Sequence, residues 1–163
     1  MPELIELATL REFDTPTICN AIEVIAPERR LEGFTTRPFI CHDPSLPPMV
    51  GYARTAKIMA TQPSGRNKPD DLETRIGYFR HIAEPPAPTV TVIEDIDDPV
   101  GFGAHWGEVN SNLHKGLGSV GVVTNGSIRD VDMWAEGFGA LAGSLSPSHG
   151  WVHVVEYGSP VEV

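Results

Sequence analysis

A strand–helix–strand pattern between residues 89 and 125 restricts the possible folds more than any other feature. The β-branched run TVTVIEDI at residues 89–96 predicts a buried strand, and WGEVNSNLHKGLG at 106–118 predicts a helix. The apolar run after it predicts a second strand, 119–125, that stops at the turn-forming pair Asn-Gly. Such a βαβ unit makes its two strands parallel and joins them by a right-handed crossover. The pattern therefore predicts an α/β fold, with ligand sites beyond the carboxyl ends of the strands.

The segments outside this unit predict further helices and strands. The spacing of apolar residues, with Pro and Gly as breakers, predicts helices at 3–12, 13–26 and 72–83, strands at 39–41, 51–61 and 150–158, a helix or turn at 127–138 and a short strand within 139–149. A length of 163 residues favours one domain.

Composition and charge exclude several classes of protein. The formal net charge is −10, and no basic run offers a surface for nucleic acid, so we expect no nucleic-acid partner. No apolar run is long enough to cross a membrane, and the N-terminus lacks the pattern of a signal peptide. Cys19 and Cys41 form no CxxC pair, which favours a reducing compartment, the cytoplasm.

The adjacent pair Arg129-Asp130 follows the second strand of the βαβ unit. A guanidinium offers a planar fork of donors that fits a carboxylate or a 2-oxo acid. A carboxylate beside it can hold a hard divalent cation through oxygen. A surface ion pair or a helix cap would also explain the two residues, so spacing alone leaves these alternatives open.

Trp106-Gly107-Glu108 opens the helix between the two strands. Gly107 allows close approach of the backbone to a ligand, and the amides that follow it favour an anion such as a carboxylate. Glu108 in the first turn is also simply favourable to the helix dipole, and Trp106 is more typical of a core than of a site.

Two other groups of polar residues give weaker signals. His149 and His153 have the i,i+4 spacing of metal ligands on a helix, but their segment predicts a strand. The acidic run EDIDDP, 94–99, could bind a cation, but we expect a solvated loop there. The sequence contains no dinucleotide loop, no phosphate-binding P-loop and no nucleophile elbow.

The stretch WGEVNSNLHKGLGSVGVVTNGSIRDVD, residues 106–132, resembles the RraA-like family, which includes 4-hydroxy-4-methyl-2-oxoglutarate aldolases. TPTICNAIE at 15–23 and GYARTAKI at 51–58 resemble two further family segments, so the resemblance extends over most of the chain. It implies a swivelling β/β/α-type domain built around the central βαβ unit. Asn125 stands where the family usually has Asp.

The resemblance implies the chemistry of a class II pyruvate aldolase that cleaves 4-hydroxy-4-methyl-2-oxoglutarate-type 2-oxo acids through a pyruvate enolate, with oxaloacetate decarboxylation as a side activity. Asp130 would ligate Mg²⁺ or Mn²⁺, and Arg129 would bind the 2-oxo acid. Glu108 would order water on the metal. The backbone of Gly107, Glu108, Val109 and Asn110 would hold the pyruvyl carboxylate.

The family also contains a non-catalytic regulator that binds a ribonuclease, so the resemblance leaves open a regulator of a ribonuclease or helicase partner. The presence of Asp130 favours the enzyme. The resemblance further implies a homotrimer or hexamer with active sites between subunits. It also predicts a single domain over 1–163 that lacks the usual C-terminal segment of the family.

Overall fold

The computed structural model describes residues 6–163. Its α-helices are α1 Leu7–Leu10, α2 Thr15–Ile25, α3 Lys68–Ala83 and α4 Glu108–Gly116, with 3₁₀ turns at Pro27–Arg29 and Val131–Met133. Its strands are β1 Ile40–Cys41, β2 Tyr52–Met59, β3 Thr89–Asp95, β4 Ser119–Ile128, β5 Gly139–Leu145 and β6 His153–Tyr157. No helix among residues 6–163 is long and apolar enough to cross a membrane.

All six strands belong to one sheet with the order β1-β5-β4-β3-β2-β6. The four central strands run parallel, and the edge strands β1 and β6 are antiparallel to their neighbours. Helix α3 connects β2 to β3, and α4 connects β3 to β4, so two consecutive βαβ units lie at the centre of the sheet. The predicted α/β fold and its central βαβ unit are confirmed.

The core lies where α3 and α4 pack against the central strands. Tyr78 and Ile82 of α3 are fully buried with Trp106 and with side chains of the parallel strands, such as Ile93 and Val122. Each fully buried side chain of this size contributes roughly 1.5–3 kcal/mol. Trp106 belongs to the core, as its type suggested, and its backbone pairs with Ile128 at the end of β4.

The prediction that β4 stops at Asn125-Gly126 is wrong, because the strand continues to Ile128. The side chain of Asn125 replaces the backbone pairing at this point. Its Oδ1 accepts from the Asp95 amide at 2.7 Å, and its Nδ2 donates to the Asp95 carbonyl at 3.0 Å. The register between β4 and β5 shifts over the same residues. A pair that often forms a turn therefore forms a bulge within a strand.

The boundaries of two helices also differ from those predicted. Helix α3 begins at Lys68 rather than residue 72, because the side chain of Asn67 caps it by accepting from the Asp70 amide at 3.0 Å. Helix α4 begins at Glu108, after the bridge at Trp106. The helix predicted at 3–12 is observed only as the shorter α1. Residues 3–5 of the predicted helix lie outside the described part of the chain.

The acidic run 94–99 begins within β3 and is only in part the solvated loop that was expected, with Asp98 exposed. Asp95 and Asp97 are buried, and their carboxylates accept hydrogen bonds from backbone amides. Asp97 accepts from Ala60 at 2.6 Å, and Asp95 accepts from Gly101 at 2.8 Å. Burial raises the pKa of Asp95. These carboxylates hold the loops at the carboxyl end of the sheet in place.

Candidate functional site

Three of the predicted site residues meet where β4 ends and α4 begins. A Cβ atom added to Gly107 would lie 2.5 Å from Oδ2 of Asp130 and 3.1 Å from Cγ of Arg129. No other residue type leaves room for both side chains in these positions. The absence of a side chain at Gly107 thus allows the start of α4 to contact the Arg129-Asp130 pair directly.

The backbone around Arg129 is held by three hydrogen bonds. Its amide donates to the Trp106 carbonyl at 2.9 Å, which ties it to the residue before Gly107. Its carbonyl accepts from Nε1 of Trp134 at 2.7 Å, and the Asp130 carbonyl accepts from the Met133 amide at 2.8 Å. These bonds fix the turn after β4 against the start of α4.

Asp130 is the one non-glycine residue with a positive φ in the part of the chain that the structure describes, at φ 53° and ψ 37°. This left-handed conformation is unfavourable for most side chains, although Asp and Asn tolerate it best. It turns the Asp130 carboxylate back toward its neighbour, so that Oδ2 lies 3.5 Å from Nε of Arg129. Two adjacent side chains that would normally diverge therefore face the same place. Both are partly exposed, so a ligand can reach them.

The first turn of α4 presents backbone donors beside this pair. Gly107 is the N-cap and has no side-chain hydrogen bond, and its carbonyl accepts from the Ser111 amide at 3.0 Å. The amides of Glu108, Val109 and Asn110 have no intrahelical partner because they belong to the first turn. The side chains of Glu108 and Val109 are exposed. An anion at this helix terminus would meet donors and the positive end of the dipole.

The side chain of Asn110 points away from this anion position. Its Nδ2 donates to the carbonyl of His105. The Asn110 carbonyl contacts Nδ1 of His114 at 2.7 Å, and Nε2 of His114 contacts the Tyr78 hydroxyl at 2.6 Å. Because a carbonyl only accepts, Nδ1 of His114 carries the hydrogen and the Tyr78 hydroxyl donates to Nε2. The backbone of Asn110 is thus fixed by a buried network.

Both histidines of this network are neutral at ordinary pH. Burial lowers the pKa of His114 to about 4. Burial, followed by the nearby His114, lowers the pKa of His105 to about 3. Burial also raises the pKa of Tyr78. The sequence did not indicate this network, because Tyr78 lies in α3 and its other members lie in the separate stretch 105–114, with no common spacing pattern.

Ser111 is a second residue that the sequence did not single out for the site. Its side chain is fully buried, and its Oγ donates to the Glu108 carbonyl at 2.9 Å and accepts from the Ala135 amide at 3.0 Å. The hydroxyl therefore joins the first turn of α4 to the segment after Arg129-Asp130. The sequence carries no signal of this role, because it depends on the burial of Ser111 and on the bond to Ala135.

The donor set at Asp130 fits a divalent cation that keeps most of its water. Asp130 supplies one partly exposed carboxylate, and Mg²⁺ is commonly bound through one or two carboxylates with several waters. Among residues 6–163 there is no group of three or more His, Cys, Asp or Glu side chains arranged to hold a metal. His149 and His153 accordingly form no such group.

The fold and this site define a class of α/β protein with a βαβ core and an Arg-Asp pair beside a helix N-terminus. The sequence profile of the RraA-like family, described as Aldolase/RraA, matches residues 15–163. The chain belongs to this family, which includes both aldolases and inhibitors of ribonucleases. No curated protein sequence matches the chain.

Solved structures share the fold. A crystal structure described as novel cellulases from microbes associated with the gut ecosystem has a TM-score of 0.70 and 15% identity, covering 100% of this chain and 71% of that one. RraAS2 of Streptomyces coelicolor, an unusual member of the RNase ES inhibitor RraA family, has a TM-score of 0.70 and 19% identity, covering 99% and 75%. The RNA-processing inhibitor RraA of Thermus thermophilus has a TM-score of 0.55 and 18% identity, covering 83% and 74%. At these identities the likeness establishes the fold alone.

Proposed function

We propose that the protein is a divalent-metal-dependent pyruvate aldolase that cleaves 4-hydroxy-4-methyl-2-oxoglutarate-type 2-oxo acids. Oxaloacetate decarboxylation would be its side activity, since loss of CO₂ from oxaloacetate also yields pyruvate enolate. The observation that carries this proposal is the contact between Gly107 and the Arg129-Asp130 pair, where an added Cβ would lie 2.5 Å from Oδ2 of Asp130. A carboxylate ligand, a guanidinium and a set of helix amides thus converge on one position.

Each part of the substrate would meet a matching group. The amides at the start of α4, from Gly107 to Asn110, would hold the carboxylate next to the ketone. The Arg129 guanidinium would lie beside the C2 oxygen and offset its growing negative charge. Glu108, in the exposed first turn, would order water near the reacting atoms.

Asp130 would hold Mg²⁺ or Mn²⁺. When bound, a divalent cation acts as a Lewis acid that stabilises negative charge on the substrate oxygen. Gly107 and the left-handed backbone of Asp130 would keep the carboxylate at the correct place for this role. Backbone strain that the surrounding structure maintains is typical of functional sites.

The bond change follows from these positions. The proton of the C4 hydroxyl leaves to a base, C4 becomes a carbonyl, and the C3–C4 bond breaks. Its electron pair moves onto C3 and the C2 oxygen, which gives pyruvate enolate, and protonation at C3 then gives pyruvate. The fragment that contains C4 leaves as a second pyruvate. Arg129 acts by binding the C2 oxygen most strongly when it carries the charge of the enolate.

The test is pyruvate release from 4-hydroxy-4-methyl-2-oxoglutarate and from oxaloacetate, with Mg²⁺ and with a chelator. We expect release that requires the metal and falls by at least about 100-fold in Asp130→Asn. Asn suits this test because it tolerates the left-handed conformation of Asp130 as well as Asp does. Asp132→Asn removes the same charge from an exposed position two residues away and should retain activity.

Two outcomes would reject the proposal. Activity that is unchanged in Asp130→Asn would disprove the role of Asp130 as the metal ligand. No release from either substrate, by protein whose circular dichroism shows an intact fold, would favour a non-catalytic regulator. A regulator should bind a ribonuclease or helicase partner equally well with Asn at position 130.

A further inference from the structure

The turn that carries Asp130 is held by two aromatic rings from different parts of the chain. Nε1 of Trp134 donates to the carbonyl of Arg129 at 2.7 Å. Nε2 of His42 lies 2.7 Å from the carbonyl of Val131. Because a carbonyl only accepts, Nε2 of His42 carries the hydrogen of the ring and donates it. Backbone carbonyls on both sides of Asp130 are therefore fixed by ring N–H donors.

The two rings also contact each other. The ring centroids of His42 and Trp134 lie 4.7 Å apart with an interplanar angle of 26°, which is a stacked arrangement. Trp134 packs against the hydrophobic core and lies beside Trp106, with centroids 6.4 Å apart. The amide of His42 donates to the Ala140 carbonyl at 3.0 Å, directly after the pairing of β1 with β5. The turn after β4 is thus fixed to the core through one ring and to an edge strand through the other.

Asp130 needs this support because its backbone conformation is unfavourable. At φ 53° and ψ 37° it is left-handed, a region that costs free energy for residues other than glycine. Such conformations persist only where the surrounding structure determines them. Rotation of Asp130 toward the right-handed region would move its carboxylate away from Arg129, where Oδ2 now lies 3.5 Å from Nε. The bonds on both sides of Asp130 oppose this rotation.

Packing does not explain why position 42 is a histidine. Nδ1 of the ring is buried and makes no hydrogen bond within residues 6–163. A buried polar atom without a partner is unfavourable, and the ring of Phe would stack on Trp134 without this cost. Phe lacks only the donor for the Val131 carbonyl. His42 is therefore better suited to holding the turn than to stabilising the fold.

We propose that His42 and Trp134 are positioning residues that keep Asp130 in the left-handed conformation needed for metal binding. They act through the carbonyls of Arg129 and Val131, and they are not catalytic residues. The role in metal binding rests on the proposed function. The role in holding the turn does not, so the two can be tested separately.

Hydrogen exchange of the Trp134 indole N–H in D₂O, followed by NMR, tests the turn without any ligand. The chain has three tryptophans, and Trp134→Phe assigns the signal of residue 134. His42→Phe keeps a stacking ring and removes the donor, so it should speed this exchange at least about tenfold. His42→Gln places an amide donor the same number of bonds from the backbone and should restore slow exchange. The indole signal of Trp106, which is fully buried, is the internal control and should not change.

Mn²⁺ affinity, measured from the electron paramagnetic resonance signal of the free ion, tests the link to Asp130. We expect binding to be about tenfold weaker in His42→Phe and to stay within about threefold of wild type in His42→Gln. The thermal midpoint of unfolding should change by only a few degrees in both variants. His149→Phe makes the same change at an exposed position outside the turn and should alter none of these quantities.

The outcomes separate the two roles. The proposal is overturned if His42→Phe leaves both indole exchange and Mn²⁺ affinity unchanged. It is also overturned if His42→Phe and His42→Gln lower the thermal midpoint and weaken Mn²⁺ binding equally, because the histidine would then only stabilise the fold. Indole exchange that responds as expected in a protein that binds no Mn²⁺ would support the role of the rings in holding the turn and would contradict the proposed function.

Discussion

Gly107 illustrates how one missing side chain can build a site. Its φ of −174° is extended backbone that any residue adopts, so conformational freedom does not explain the glycine. The explanation is space, since an added Cβ would lie 2.5 Å from Oδ2 of Asp130 and 3.1 Å from Cγ of Arg129. Both atoms belong to side chains that can move, so the fold can accept alanine while the site cannot.

We therefore expect Gly107→Ala to reduce kcat/KM for pyruvate release about 100-fold, the effect of a displacement near 1 Å in catalytic groups. The thermal midpoint of unfolding should change by only a few degrees. Steady-state kinetics and thermal unfolding on the same preparation measure both quantities.

Gly116→Ala provides the matched control at the other end of α4. No atom lies within 4 Å of a Cβ added there, and the backbone is helical. Activity should be unchanged and stability should rise slightly, because alanine in a helix is more stable than glycine by roughly 0.5–1 kcal/mol. Equal loss of activity in both variants would mean that α4 responds to any substitution and that contact with Asp130 is not the cause.

Individual residues of the site differ in how far the sequence could predict them. Arg129 and Gly107 were predicted because each follows a parallel strand. The carboxyl ends of such strands lie at one edge of the sheet, and this holds for any sequence that forms the βαβ unit. His105 and Ser111 were not found, since their importance comes from burial and, for Ser111, from a bond to Ala135, which is distant in sequence. The left-handed conformation of Asp130 was also beyond sequence analysis, because it depends on the bonds that hold the turn.

The strand β4 shows why the boundary of an element can be mispredicted even when its existence is clear. Asn125 and Gly126 have strong turn propensity, but the side-chain carboxamide of Asn125 accepts from the Asp95 amide at 2.7 Å and donates to the Asp95 carbonyl at 3.0 Å. Tertiary pairing with β3 therefore overrides the local preference. The helices α3 and α4 were predicted to within a few residues, because their apolar faces pack on the sheet with regular spacing.

The same pairing predicts the effect of restoring the residue that the family usually has at position 125. Asn125→Asp keeps the acceptor for the Asp95 amide but replaces the donor, Nδ2, with a carboxylate oxygen that faces the Asp95 carbonyl. We expect the free energy of unfolding to fall by about 2 kcal/mol at neutral pH, since a buried acceptor loses its partner and a charge is added. Denaturant unfolding measures this difference.

At acidic pH, the difference in free energy of unfolding between Asn125→Asp and wild type should become smaller. The carbonyl of Asp95 disfavours the charged form, so the pKa of the new carboxyl group should be higher in the folded than in the unfolded state. The penalty is then complete above the folded pKa, declines as pH falls from the folded to the unfolded pKa, and is absent below both, because the protonated acid is again a donor. Asn112→Asp, at an exposed position on α4, should show a much smaller loss at neutral pH. A loss of equal size at both positions would argue against the role of the Asp95 pairing.

In a single chain, the apolar side chains of the N-terminal part are largely exposed to solvent. Helix α2 has no buried residue, although its apolar residues have helical spacing. Ile25 is 79% exposed and Leu31 is 86% exposed. Adjacent exposed apolar side chains of this kind are typical of a surface that contacts another chain. Because the resemblance implies a trimer with sites between subunits, a second copy of this chain is the expected partner.

We expect a trimer, or a hexamer built from two trimers, in sedimentation velocity at micromolar concentration. Ile25→Asp should dissociate it, since a carboxylate would have to lose its water within an apolar contact. Asn20→Asp adds the same charge at an exposed position of the same helix and should leave the assembly intact. The monomeric variant should retain the circular dichroism of the sheet, because α2 contributes no buried residue to the core. Wild-type protein that sediments as a monomer would contradict the prediction, and α2 would then need another partner to cover it.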